Sequence, residues 1–356
     1  MTVSTLSLLI GLSAVAQTVD DWPAIVQQPY EDLPRAGVGL KPLLQTPLGE
    51  KITTREGWAR QRQILSQAWL ERLGRPPEKP KKLDVETQSS EMRPDCSIRL
   101  VSFRSEGDDR IRAYLLIPAG LKKGERRPAV VVFHQSTKDT LLEPIGRGGK
   151  PELALALDLV RRGYVTLSPE CYIMRSGGSP TQADALARRR PGWTGLGKIT
   201  FDASRAVDYL ESVPEVDKSR IGCIGHSLGA KEVLYALAFE PRYRAGVFNE
   251  GGIGLRMSNW TEPWYLTPAM KEHIPAMENH QVLALIAPRP ILVMAGNRAD
   301  SDESWTFVAE ARTVYKLLGA RDHIGFYNHK GGHTLPPEAR ELAFKWLDQW
   351  LEFEPK

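Results

Sequence analysis

The chain has 356 residues, of which 42% are hydrophobic and 25% charged, enough apolar material for one large core with an appendage. Its net charge of +4 is too small an excess to argue for nucleic acid as a partner. Seven histidines and three cysteines, Cys96, Cys171 and Cys223, match no zinc-ligand spacing, and no other run approaches span length once the first residues are set aside.

Those first residues read MTVSTLSLLIGLSAVAQT. An apolar run, Leu6 to Val15, leads into Ala14-Val15-Ala16, a small-x-small pattern, so residues 1–16 are expected to be a signal peptide and the mature protein to be exported, periplasmic or extracellular, without stable membrane insertion. After export a Cys96–Cys171 bridge becomes possible. Residues 17–84 form an arm and a helix. The arm is rich in Pro and Gly. Arg55 to Leu73 then carries Trp58, Ile64, Leu65, Ala68, Trp69 and Leu73 at helical spacing, stopped by Gly74 and Pro76-Pro77.

The catalytic domain is expected over 85–356. Ser97 to Ser105 and Arg110 to Pro118 flank a hairpin signal, Gly107-Asp108-Asp109. Pro128 to Phe133 is an all-apolar strand, as expected where both faces are covered. Helix Glu152–Arg162, strand Tyr164–Ser168, helix Phe201–Val213, strand Ile221–Gly225 and helix Ala230–Phe239 follow. Strands at Ala245–Asn249, Pro290–Ala295 and Ile324–Asn328 alternate with helices at Ser304–Leu318 and Pro337–Trp350. An antiparallel start followed by strand–helix repeats predicts an α/β fold: a mostly parallel sheet with helices on both faces. Two long stretches, 170–198 and 250–288, interrupt the rhythm and read as functional insert loops.

Gly225-His226-Ser227-Leu228-Gly229 lies between a predicted strand and a predicted helix, the setting in which G-x-S-x-G forms a nucleophile elbow. The serine occupies a strained turn; side chains two before and two after would collide, so both are glycine. The helix that follows aims its free N–H groups at developing negative charge, and the Leu228 N–H is the first candidate oxyanion donor. The second is sought in the loop after Phe133, at Gln135. A serine needs a base, and His333 in Gly331-Gly332-His333-Thr334 follows the last strand; His329 is the fallback. For the third member two carboxylates compete. Glu250 ends a strand and is backed by two glycines, and Asp300 follows the next strand. Both belong at the carboxyl edge of the sheet. An alternative for Asp300 is helix capping.

On these motifs the chain resembles the α/β-hydrolase superfamily from about Val85 onward, and within it the microbial acetyl xylan esterases and glucuronoyl esterases, more distantly the dienelactone hydrolases. Leu285 to Gly296, LIAPRPILVMAG, is similar to a strand segment of acetyl xylan esterase-like enzymes. Asn249-Glu250-Gly251-Gly252-Ile253-Gly254 resembles the glucuronoyl esterase segment N/Q-E-S-G-x-G, which carries the acid of that family. That family surrounds its serine with C-S-R-x-G-K, whereas this chain has Leu228 in place of the arginine. The resemblance implies a secreted serine esterase acting on carbohydrate esters without a cofactor or metal. Acetyl esters are the leading substrates and 4-O-methyl-glucuronate esters the alternative. Asn259, Trp260 and Trp264 in the second insert, with His134 at a strand end, are candidates for the substrate pocket; Trp193 could join them, and Arg175 and Arg256 could meet an acidic group. Two rivals remain open: a peptidase of prolyl-oligopeptidase type, for which the segment before Val85 is too short to hold a propeller, and a non-catalytic binding protein on the same fold. Oligomeric state is not legible.

Overall fold

The apolar strand Arg127–Phe133 alternates its side chains between two hydrophobic clusters. Ala129, Val131 and Phe133 point into one, Val130 and Val132 into the other. Such a strand needs helices on both faces, and the computed structural model, which describes residues 21–30, 39–46 and 48–355, supplies them. The expected leader, 1–16, lies outside the described residues.

In chain order the elements are α1 (Trp22–Gln27), α2 (Arg55–Leu73), β1 (Glu86–Met92), β2 (Cys96–Arg104), β3 (Arg110–Pro118), β4 (Arg127–Phe133), α3 (Leu155–Arg161), β5 (Val165–Pro169), α4 (Gly178–Arg189), α5 (Gly195–Leu210), β6 (Val216–His226), α6 (Leu228–Phe239), β7 (Tyr243–Asn249), α7 (Asn279–Ile286), β8 (Ile291–Ala295), α8 (Trp305–Leu317), β9 (Ile324–Asn328) and α9 (Pro337–Trp350). Among the described residues the strands form one nine-stranded sheet, ordered β1-β2-β3-β5-β4-β6-β7-β8-β9. β1, β2, β3 and β5 pair antiparallel; from β5 through β4 to β9 every pair is parallel. The α/β-hydrolase architecture read from the sequence is the one observed.

Strand order turns at β4, which lies between β5 and β6. The helix after β4 packs in one cluster and the helix after β6 in the other, so a crevice opens between their loops at the carboxyl ends. β6, β7 and β8 are in register there, with His226 opposite Asn249 and Asn249 opposite Met294. The loops after these strands therefore leave from one edge.

Several elements depart from expectation. β1 was not expected: its sequence, ETQSSEM, lacks alternation, and every residue is exposed. The stretch 170–198 is not a plain loop, since it contains α4 and the first turn of α5. The Thr194 hydroxyl caps α5 by accepting the Gly197 N–H at 3.1 Å. Gly195 and Gly197 sit inside this helix because a Cβ at either would collide with the backbone of Trp264 or Leu73. α7 lies within the second insert. Cys96 and Cys171 are both buried free thiols in the clusters on opposite faces of the sheet, so no bridge joins them.

Candidate active site

Ser227 sits between β6 and α6 with φ 58° and ψ −115°, a conformation that strains a residue bearing a side chain. Its two glycines are sterically required: a Cβ at 225 would collide with the Gly229 backbone, and one at 229 with the Phe133 carbonyl. Leu228 opens α6, so its N–H is one of the free donors at the helix start. The Ser227 N–H donates to the Asn249 carbonyl at 2.9 Å, which ties the elbow to the end of β7.

Glu250 follows immediately, also at positive φ (56°), with its side chain fully enclosed. Its Oε2 accepts from His333 Nδ1 at 3.0 Å. The same carboxylate accepts the Ala299 N–H at 2.9 Å, the Asp300 N–H at 3.2 Å and the Gly296 N–H. Burial works against its charge, but His333 and these N–H groups outweigh burial and hold the carboxyl below its ordinary range. Asp300 does not reach a histidine. Its Oδ2 accepts the Gly252 N–H at 2.6 Å, its Oδ1 the Ile253 N–H at 2.7 Å, and Ser304 Oγ donates to Oδ1 at 2.8 Å. The loops after β7 and β8 thus brace each other: each lends a buried carboxylate to the other's backbone. Burial pushes Asp300 up to about 6 despite these donors.

The loop carrying His333 is fastened from three sides. Lys150 Nζ donates to the His333 carbonyl at 2.9 Å, Thr334 Oγ1 to Glu152 at 2.8 Å, and Asn249 Nδ2 to the Thr334 carbonyl at 3.0 Å. Ser227, Leu228, Glu250 and His333 line one cavity of about 420 Å³ together with Ser136, Lys231, Met257, Ser258, Asn259, Tyr265 and Arg298. A hydroxyl at a strained elbow, an imidazole oriented by a buried carboxylate and a helix N-terminus, all facing one cavity, can together perform acyl transfer.

Not every expected residue reaches this cavity. Asn259 does. Trp260 is completely buried, donates to the Gly252 carbonyl at 2.6 Å and belongs to the core under the insert. Trp264 is half-buried against the same core. Trp193 is buried edge-on to Phe201, with ring centroids 5.6 Å apart. His134 is buried, accepts the Cys171 N–H at 3.0 Å on Nε2 and so holds two loops together. Arg175 is taken by Asp109 at 2.7 Å. Gln135 is buried with its side chain donating to Glu143 at 2.7 Å, while its neighbour Ser136 lines the cavity. His329 accepts the Gly331 N–H on Nδ1 at 3.0 Å and does not line the cavity.

Residues that the sequence reading passed over are Lys231 and Arg298. Lys231 lies one helical turn after Ser227. Its Nζ donates to Ser258 Oγ and Asn259 Oδ1, both at 2.7 Å, and stands 4.9 Å from the Trp260 ring centroid and 5.0 Å from that of Tyr265. Its spacing, four residues after Ser227 and in the first turn of the helix that the elbow opens, was the available signal.

Fold and site geometry together define an α/β-hydrolase. The dienelactone hydrolase family model matches residues 111–300, more than half of the chain, and the protein belongs to that family. YtaP of Bacillus subtilis, a protein named as a hydrolase, is 25% identical over 287 residues, covering 76% of this chain and 93% of YtaP. A 4-O-methyl-glucuronoyl methylesterase of Sodiomyces alcalophilus is 33% identical over 159 residues, covering 35% of this chain and 31% of its own length. Among known structures, a glucuronoyl esterase from Solibacter usitatus superposes with a TM-score of 0.73 at 21% identity, over 90% of this chain and 99% of that one.

Proposed function

We propose that the protein is a serine carboxylic-ester hydrolase acting on carbohydrate-linked esters. The observation that carries this reading is the 3.0 Å contact between His333 Nδ1 and the enclosed Glu250, in the cavity that Ser227 also lines. His333 takes the Ser227 proton as the hydroxyl attacks the ester carbonyl. Glu250 keeps the Nδ1 proton in place and steadies the imidazolium. The Leu228 N–H and an N–H of the loop after β4, at Gln135 or Ser136, receive the oxyanion. The imidazolium then protonates the leaving alcohol, and the same base activates water against the acyl-enzyme.

A carbohydrate-linked substrate is supported by the named activities of the relatives and by the polar lining of the cavity, where Ser136, Ser258, Asn259 and Lys231 suit an alcohol rich in hydroxyls. Acetyl esters and 4-O-methyl-glucuronate esters are the two substrate classes, the second favoured by the relatives and weakened by Leu228. Labelling by a fluorophosphonate, followed by rates on acetylated xylo-oligosaccharides and on methyl glucuronate esters, tests both levels. Absence of labelling removes the serine mechanism, and hydrolysis of aryl acetates alone removes the carbohydrate. Export is supported by the residues at 1–16, and the mass of the protein recovered outside cells of its source tests it.

A further inference from the structure

Asn249 touches all three loops of the candidate triad. It precedes Glu250 in the chain, and its carbonyl receives the Ser227 N–H at 2.9 Å. Its side-chain Nδ2 donates to the Thr334 carbonyl at 3.0 Å and lies 2.7 Å from His226 Nδ1. A carbonyl can only accept, so the atom facing Thr334 must be the amide nitrogen. Its second hydrogen then faces His226 Nδ1, which must present a lone pair. The geometry therefore makes His226 neutral, with its proton on Nε2. That ring stands 4.5 Å, centroid to centroid, from the His333 ring.

We propose that Asn249 is a positioning residue that couples the serine elbow to the base loop and locks His226 in its neutral tautomer, leaving His333 as the one imidazole of the pair that gains a proton during turnover. The proposal rests on the triad reading above. A proton on His226 Nδ1 would face the Asn249 amide hydrogens, break the link toward Thr334, and set a second positive charge against the imidazolium of His333. Burial, then His333, Lys150 and His329, hold the His226 pKa well below the ordinary histidine range, outweighing the one opposing contact, with the Asn249 backbone, while Glu250 is engaged by His333. The arrangement carries a cost. His226 Nε2 and Asn249 Oδ1 are both buried without a hydrogen-bond partner among the described residues.

The test is Asn249→Asp in the full chain. Aspartate cannot donate to the Thr334 carbonyl, and its carboxylate draws a proton onto His226 Nδ1. The expected result is a kcat about 10²-fold lower, with KM changed less than about threefold, and a second ionisation in the pH profile of kcat. The double variant Asn249→Asp/His226→Gln, with no imidazole at 226, should lose that second ionisation. Asn249→Ser, smaller and uncharged, should lower kcat while keeping a single acid limb, and it serves if the aspartate does not fold. Fluorophosphonate titration counts competent serines in each sample. A kcat loss that merely tracks fewer titratable sites, or an Asn249→Asp profile identical to wild type, overturns the proposal. Wild-type protein that fails to label overturns the triad reading itself, and this inference with it.

Discussion

Two buried lysines, one in the insert and one beside the serine, behave in opposite ways. Lys198, near the start of α5, is wholly enclosed and reaches Glu106 at 2.8 Å, Asp109 at 2.8 Å and Asp202 at 2.6 Å. Burial opposes its charge, yet Asp202, Asp109 and Glu106 outweigh burial and raise its pKa above the ordinary value. Lys231 is almost as deeply buried, but its hydrogen bonds go to a hydroxyl and an amide oxygen, and no carboxylate lies within ion-pair reach among the described residues. Burial pushes it down to about 7, with Asp300 opposing from farther away. The first lysine is committed to holding the first insert against the β2–β3 hairpin. The second lines the cavity beside Ser227 and is held there by neutral oxygens alone among the described residues. Enclosure alone thus does not set the charge state of a buried lysine; the identity of its partners does.

Variants on the two sides should divide the same way. The largest effect is expected from Ser227→Ala: ester turnover falls by about 10⁴-fold or more, while thermal melting stays within a few degrees of wild type. A large loss of stability would mean that the rim, too, is structural. Glu250→Gln should lower kcat by about 10³–10⁴-fold, far more than Asp300→Asn. Equal losses would erase the distinction between an orienting and a bracing carboxylate. Lys198→Met strands buried carboxylates and should cost about 3–5 kcal/mol in urea unfolding, with kcat per folded molecule little changed.

The smallest expected effect is a pH slope. Lys231 has a folded pKa near 7 and an unfolded one near 10.5, so between those values the unfolded chain binds the extra proton, and this group makes the native state more stable as pH rises. Lys198 has a raised folded pKa. Its contribution is complete below about 10.5 and is lost only as pH climbs through the folded value. Urea midpoints at pH 7.5 and 9.5 should show the wild-type rise shrinking in Lys231→Met. An unchanged slope would mean that Lys231 has a carboxylate partner in solution.

Much of this was legible in the residues. Gly225 and Gly229 announce an elbow because nothing else fits, and the all-apolar β4 announces a strand covered on both faces. What was hidden has physical reasons. β1 carries no buried face, so no pattern marks it. The first turn of α5 looks like a loop because backbone crowding by Leu73 and Trp264 demands glycine inside a helix. Trp260 could equally be a platform for a sugar or a core ring, since composition cannot tell which side of a loop a ring faces. Glu250 and Asp300 stayed ambiguous because both are carboxylates in loops that leave the carboxyl ends of neighbouring strands, Glu250 directly after β7 and Asp300 five residues after β8. The one difference, which of them meets His333, is a matter of three dimensions.

Helix α2 has a practical consequence. Its Trp58, Trp69 and Leu73 lie in the same cluster as α5 and α7, Trp69 Nε1 bonds Gln281 at 3.0 Å, and the Leu73 carbonyl receives both the N–H and the hydroxyl of Thr194. A protein shortened to begin at Val85 would keep every strand and the candidate triad, yet expose an oily trench along α5 and α7. Such a fragment should clump on expression, while one that keeps α1 and α2, with Val26, Leu43 and Ile52 in place over the core, should stay in solution.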